Sequence, residues 1–135
     1  MRHRTFVVFD DYANTGGIET DTRHNATLGE YDQLALHVVG DNASVANVTV
    51  NVYVAHSSDG RQWLYRSNNQ ASLPGTADVS ITLNSTTDVE HKMWSDACLG
   101  SMASGPLLSF VRLHVVTVGG GAHVKIHATQ RGASR

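Results

Sequence analysis

Residues 44–63 read SVANVTVNVYVAHSSDGRQW, and Val48, Val50, Val52 and Val54 alternate there with Asn47, Thr49, Asn51 and Tyr53. Successive side chains of a strand point to opposite faces, so one face of this segment is all valine and the other is polar. The pattern predicts a long, half-buried strand of an antiparallel sheet. Ser57-Ser58-Asp59-Gly60 ends it as a turn, because Asp hydrogen-bonds its own backbone two residues on. Asp-Gly between apolar runs is a hairpin signal, so residues 61–66 are expected to return beside the valine strand.

Period-two segments extend outward in both directions. Residues 4–9 read as a first strand. Gly16-Gly17 reads as a break before a polar edge strand over 18–24. Residues 31–39 place Leu34, Leu36 and Val38 on one face, and Gly40-Asp41-Asn42 reads as a turn into the valine strand. Residues 78–83 alternate Val79, Ile81 and Leu83. Residues 107–118 and 122–130 are two further strands, the second with Val124, Ile126 and Ala128 inward, and Gly119-Gly120-Gly121 reads as a hairpin loop between them. Residues 88–106 fit no period and are expected to be a long, partly buried connection, with room for a short helix.

The sum is about eight strands with no long helix, which predicts an all-β chain. The expected architecture is a single-domain antiparallel two-sheet sandwich over residues 1–135, jelly-roll-like, with residues 1–4 and 131–135 as flexible arms. A closed barrel is the alternative. An immunoglobulin-type core is disfavoured, because its Cys-Trp-Cys signature is absent.

A chain of 135 residues is long enough to bury one core without staples. Cys98 stands alone, so no intrachain disulfide can form. Net charge is −2, which gives no electrostatic case for nucleic acid or an anionic membrane. The charge is polarised along the chain. Residues 1–45 carry seven acids and three arginines, net −4, whereas residues 91–135 carry Asp96 and five basic residues, net +4. Either these two ends pair as neighbouring strands or they form faces that meet between subunits. The start MRHRTFVVFDDY has no apolar core of the kind a signal peptide needs, and no run approaches membrane-spanning length. The expected setting is therefore a cytoplasm or a particle assembled there. In that setting the Asn-x-Ser/Thr sequons at Asn25, Asn42, Asn47 and Asn84 are by-products of composition.

Eight histidines raise the question of metal. His123 and His127 share a face of the last strand, with Lys125 between them, and a glycine hairpin would let His114 face His123 or its neighbour. Zinc needs three or four ligands converging at about 2.0–2.1 Å, and a lysine between two of them opposes that, so a polar or interface-facing row is expected and no metal. His56 continues the buried parity and is expected as a half-buried cap beside the turn. Asp10, Asp11, Glu19 and Asp21 lack any calcium-loop spacing. Cys98 sits among apolar and small residues, as an inert thiol does. No nucleophile elbow, phosphate loop or His-Glu-x-x-His occurs, so neither an enzyme nor a cofactor is expected. Trp63, Tyr65, Trp94 and Tyr12 are either packing aromatics or a stacking platform for sugars, and Trp63 and Tyr65 share a face as anchors of the hairpin.

The segment VYVAHSSDGRQW, residues 52–63, resembles the strand-turn-strand of discoidin-like β-sandwiches, and Phe110-Val111-Arg112-Leu113 resembles the arginine-containing strand that follows in those domains. The same turn is similar to one in bacteriophage virion proteins with jelly-roll folds. Secreted discoidin domains join their ends by a disulfide that one cysteine cannot supply, and their ligand loops match no motif here. The resemblance therefore implies a sandwich and no ligand residues.

Together these features lead to the expectation of a non-enzymatic structural protein that self-assembles, such as a capsid, decoration or shell subunit of a phage or virus-like particle. Its partners would be itself and other shell proteins. The alternative is a carbohydrate- or cell-surface-binding module. Interface cores are depleted in Lys and Glu, and the chain has two and three of these. The candidate ligand or interface residues are Trp63, Tyr65, His114, His123 and His127.

Overall fold

The computed structural model describes residues 2–13, 16–19, 33–41, 47–84, 89–97, 108 and 110–132. Among them are nine strands and no helix: β1 (Arg2–Ala13), β2 (Gly16–Glu19), β3 (Gln33–Asp41), β4 (Val48–Ser57), β5 (Leu64–Tyr65), β6 (Val79–Leu83), β7 (Val89–Ala97), β8 (Phe110–Val118) and β9 (Ala122–Gly132). They form two antiparallel sheets, a four-stranded one ordered β1-β9-β3-β7 and a five-stranded one ordered β2-β8-β4-β5, with β6 also pairing β4.

The pairing is nested. β1 pairs β9, β2 pairs β8, β3 pairs β7 and β4 pairs β6. The chain is thus one long antiparallel ladder turned back on itself after β4. Rolling that ladder brings β9 against β3 and β8 against β4, which is the jelly-roll arrangement of two packed sheets.

The valine strand is the centre of the five-stranded sheet. Val48, Val50, Val52 and Val54 are fully buried. They pack with Val111, Leu113 and Val115 of β8 and Val79, Ile81 and Leu83 of β6. Leu34, Leu36 and Val38 of β3 and Val124, Ile126 and Ala128 of β9 close the core from the other sheet. Each such side chain contributes roughly 1.5–3 kcal/mol on burial.

One edge of β4 is shared. β6 covers Val48 to Val52 and β5 covers Ala55 and His56. In the gap between them, the Val54 N–H donates to Asp78 Oδ2 at 2.8 Å and the Val54 carbonyl accepts from the Arg66 N–H at 2.7 Å. No backbone group of Val54 is left bare, as a buried strand requires.

The turn after β4 has a matching logic. The Ser57 hydroxyl donates to Asp59 Oδ1 at 2.9 Å and accepts the Gly60 N–H at 2.9 Å. Asp59 Oδ1 also accepts the N–H groups of Arg61 and Gln62, both at 2.9 Å. Gly60 has φ of 75°, where a side chain is strained. The Gln62 and Arg61 N–H groups, followed by the Ser57 hydroxyl, hold the Asp59 carboxyl below its ordinary value. A carboxyl lowered by folding contributes stability above its unfolded value near 4 and loses it as pH falls through the lower folded value. Asp59→Asn should therefore melt below the wild type at pH 7, with the gap closing below about pH 4. A gap of constant size in thermal melts from pH 7 to pH 3 would contradict this.

Several boundaries differ from the sequence expectations. Residues 88–106 contain β7 rather than a connection with a helix, and 98–107, including Cys98, lie outside the described residues. Gly16 and Gly17 lie within β2 instead of breaking the chain before it, and Gly40 and Asp41 finish β3 instead of turning. Gly119-Gly120-Gly121 is not a hairpin loop: β8 and β9 belong to different sheets, so the glycines carry the chain from one layer to the other. The expected arms are also strand in part, since Arg2, His3 and Arg4 register with Gly132, Arg131 and Gln130.

Candidate functional site

The two sheets present two outward faces, and the expected site residues divide between them. Trp63, Tyr65 and His114 lie on the five-stranded sheet. Tyr53 and His114 are register neighbours across β4 and β8, as are Ala55 and Arg112, and Ala55 also faces Tyr65 of β5. The Tyr65 hydroxyl and His114 Nδ1 are hydrogen-bonded at 2.9 Å, and their rings stack with centroids 6.2 Å apart. Tyr53 meets Tyr65 edge-on at 6.1 Å and is buried beneath the pair. The Arg112 guanidinium lies 4.3 Å from the Trp63 ring centroid, within the range of a favourable cation–π contact. Tyr53 and Arg112 were missed as site residues by sequence reasoning. Only the cross-strand register brings them to Tyr65 and Trp63.

His123 and His127 lie on the outward face of the four-stranded sheet. His114 does not approach them, because β8 is not a partner of β9. Beyond a row of His3, Arg131, Gln33 and Ala97, four registered rows cross this face from β1 to β7. The first holds Thr5, Thr129 and Ala35, the second Val7, His127, His37 and Met93, the third Asp10, Lys125, Val39 and His91, and the fourth Tyr12, His123, Asp41 and Val89. His37 Nε2 and His91 Nδ1 are hydrogen-bonded at 3.1 Å, and His37 stacks on His127 with centroids 6.1 Å apart. His123 Nε2 is paired with Asp10 Oδ1. His127 Nδ1 is a buried polar atom with no hydrogen-bond partner among the described residues. His37, His91, Met93 and Val7 carry no motif and were not found from sequence. Period two put His127 on this face, but only pairing across β9, β3 and β7 reveals the cluster.

The same face is apolar at its margins. Met93 is 71% exposed, Val89 54%, Tyr12 50% and Val7 40%. The two edge strands β1 and β7 each carry features that discourage strand addition. β1 shifts register between Val7 and Phe9, and the inward positions of β7 include charged Glu90 and Lys92, in register with Gly40 and Val38.

His56 is buried rather than half-buried, and its Nδ1 accepts the Leu108 N–H at 3.2 Å. Among the described residues, no group of three or more His, Cys, Asp or Glu has a metal-holding arrangement. Chelator is therefore expected to leave the melting temperature unchanged, since a metal bound to the native state would raise it by mass action. A fall of several degrees with EDTA, restored by one metal, would overturn this. No helix among the described residues is long and apolar enough to cross a membrane.

No family model matches the chain, and no curated protein matches it. Among solved structures, a chain from the structure of infectious bursal disease virus Gt strain superposes with a TM-score of 0.26 at 10% sequence identity. The match covers 98% of this chain and 37% of the other, so this chain spans little more than a third of that chain's length. A superposition that loose assigns neither a family nor a function.

Proposed function

We propose that the chain is a non-enzymatic structural protein that self-assembles, as a capsid, decoration or shell subunit of a phage or virus-like particle. The observation that carries this is the outward face of the four-stranded sheet. It is broad and regular, and it leaves Met93 and Val89 exposed at one edge and Tyr12 and Val7 exposed at the other. Exposed apolar side chains grouped along the edges of one sheet face mark a candidate interaction site. Opposite charges from the two ends of the sequence meet inside the same building block, where Asp10 of β1 registers opposite Lys125 of β9. Assembly is then not expected to dissolve in high salt, which screens exposed pairs to about 3 Å at 1 M.

Size-exclusion chromatography with light scattering, at tens of micromolar and in both low and high salt, tests the proposal. A multimer is expected in both. A strictly monomeric protein in both would overturn it and favour a second reading, a carbohydrate-binding module. That reading rests on the Tyr53, Tyr65, His114 and Trp63 cluster. Against it, Arg112 already covers one face of the Trp63 ring, which leaves a sugar only the other. Binding of the monomer on a glycan array, lost in Trp63→Ala, would establish it.

A further inference from the structure

We infer that the occupant of the four-stranded sheet's outward face is a second copy of the same face, related by a two-fold axis running along the strands between β9 and β3. The inference rests on the self-assembly proposal and specifies its contact. A closed dimer interface must be self-complementary. An axis along the strands exchanges β1 with β7 and β9 with β3 while keeping each row opposite itself. Val7 then meets Met93 of the second copy, Tyr12 meets Val89, Asp10 meets His91, and His123 meets Asp41. The exposed apolar edge groups oppose apolar groups, each carboxylate opposes an imidazole, and Lys125 opposes Val39. An axis across the strands between the second and third rows sets Val7 on Asp10 and His127 on Lys125, and one through the second row sets Val7 on Val7 and Met93 on Met93 but places Asp10 on Thr5 and Lys125 on Thr129, with no carboxylate opposite an imidazole. Charge and polarity on this face thus select one of these arrangements.

The centre of the face suits the same geometry. His127 and His37 of each copy flank the axis, where sheets packed face to face lie closest. The twist of aligned sheets, about 30° across such a contact, separates the corners more than the middle rows. The second row, with Val7 and Met93 at its ends, is one of those middle rows.

Area sets the strength. Four strands about 4.8 Å apart, with outward residues about 6.7 Å apart along each, span roughly 500 Å² per copy. The total of about 1,000 Å² is at the lower limit for a specific interface. The contact is weak for an isolated pair and gains strength where several contacts of a shell act together.

Cross-linking between differently labelled molecules tests the geometry. Face-to-face sheets lie about 10 Å apart, beyond the Cα separation a disulfide spans, so a thiol-reactive bismaleimide of about that length is the probe. In a Cys98→Ser background, Val7→Cys and Met93→Cys are prepared separately. Both positions are exposed, and thermal melts of each variant verify folding. The proteins are tested at about 200 μM, because a small interface binds weakly. The expected result is a covalent dimer from the mixture, several-fold more than from either variant alone. Met93→Arg in the wild-type chain should weaken association at least tenfold. A multimer by light scattering that gives no mixed cross-link, or in which Met93→Cys links chiefly to itself, overturns this geometry and leaves self-assembly standing. A monomer at this concentration overturns both.

Discussion

Val52→Asp yields a chain that does not fold. Val52 is fully buried at the centre of β4, registered between Val79 of β6 and Val115 of β8. Among the described residues, those that share the core with it are apolar. Keeping the charge costs several kcal/mol of desolvation, and protonating it instead carries a comparable penalty at neutral pH. Loss of the valine removes a further 1.5–3 kcal/mol or so. A domain of this size has roughly 5–15 kcal/mol in total, so the native state is no longer populated.

The neighbouring position supplies the control. Asn51 points outward and its Oδ1 accepts the Ser80 hydroxyl at 2.9 Å, a bond a carboxylate also accepts, so Asn51→Asp should change stability by less than about 1 kcal/mol. Far-UV circular dichroism and urea titration separate the two outcomes. A soluble Val52→Asp protein with a cooperative transition would refute the inward assignment of this face.

That contrast also shows what was legible from sequence. Parity was readable wherever one face was aliphatic: β4, β6, β8, β9 and β3 announce themselves through alternating Val, Leu and Ile. β7 did not, because its inward positions are Glu90, Lys92 and Trp94, in register with Gly40, Val38 and Leu36 of β3. An edge strand protects itself with such charges, and the same charges erase the period-two signal. Likewise, Gly40 occupies an inward strand position where a Cβ would sit 3.2 Å from Leu83 Cδ1. A glycine required by close packing looks, in sequence, like a turn.

The candidate surfaces were less legible than the core. Tyr65 and His114 were identified separately and do come together over Tyr53, while Trp63 meets Arg112, and the roles of Tyr53 and Arg112 depend on register. His123 and His127 were correctly placed on one face, while His37, His91 and Met93 reach it from two other strands. Pairing between segments distant along the chain is set by how the ladder rolls. The hydrophobic period fixes which way a side chain points and says nothing of its neighbour across the sheet. The assumption that consecutive strands form hairpins is a sound prior, and it failed at the one crossing that separates His114 from His123.

Gly119→Ala should destabilise the fold severely and report on that crossing. Gly119 has φ of 88°, and a Cβ there would lie 2.5 Å from the Asn47 carbonyl oxygen. Two penalties combine. Left-handed backbone costs an L-residue roughly 1–2 kcal/mol, and overpacking against a neighbour that cannot yield costs about 1–3 kcal/mol more. Asn47 immediately precedes β4, so its carbonyl is anchored by the most buried strand of the molecule and cannot move aside. The expected loss of about 2–5 kcal/mol corresponds to a melting temperature lowered by roughly 10 °C or more. Gly121→Ala distinguishes the cause. Its Cβ would meet the Tyr12 ring, with the hydroxyl oxygen 2.5 Å away. Tyr12 is half exposed and free to swing outward, so the cost should be much smaller. Gly75→Ala, with nothing within 4 Å, should be close to neutral. Equal melting temperatures for Gly119→Ala and Gly75→Ala would therefore contradict the pairing of β8 with β4 that brings Gly119 against the start of the valine strand.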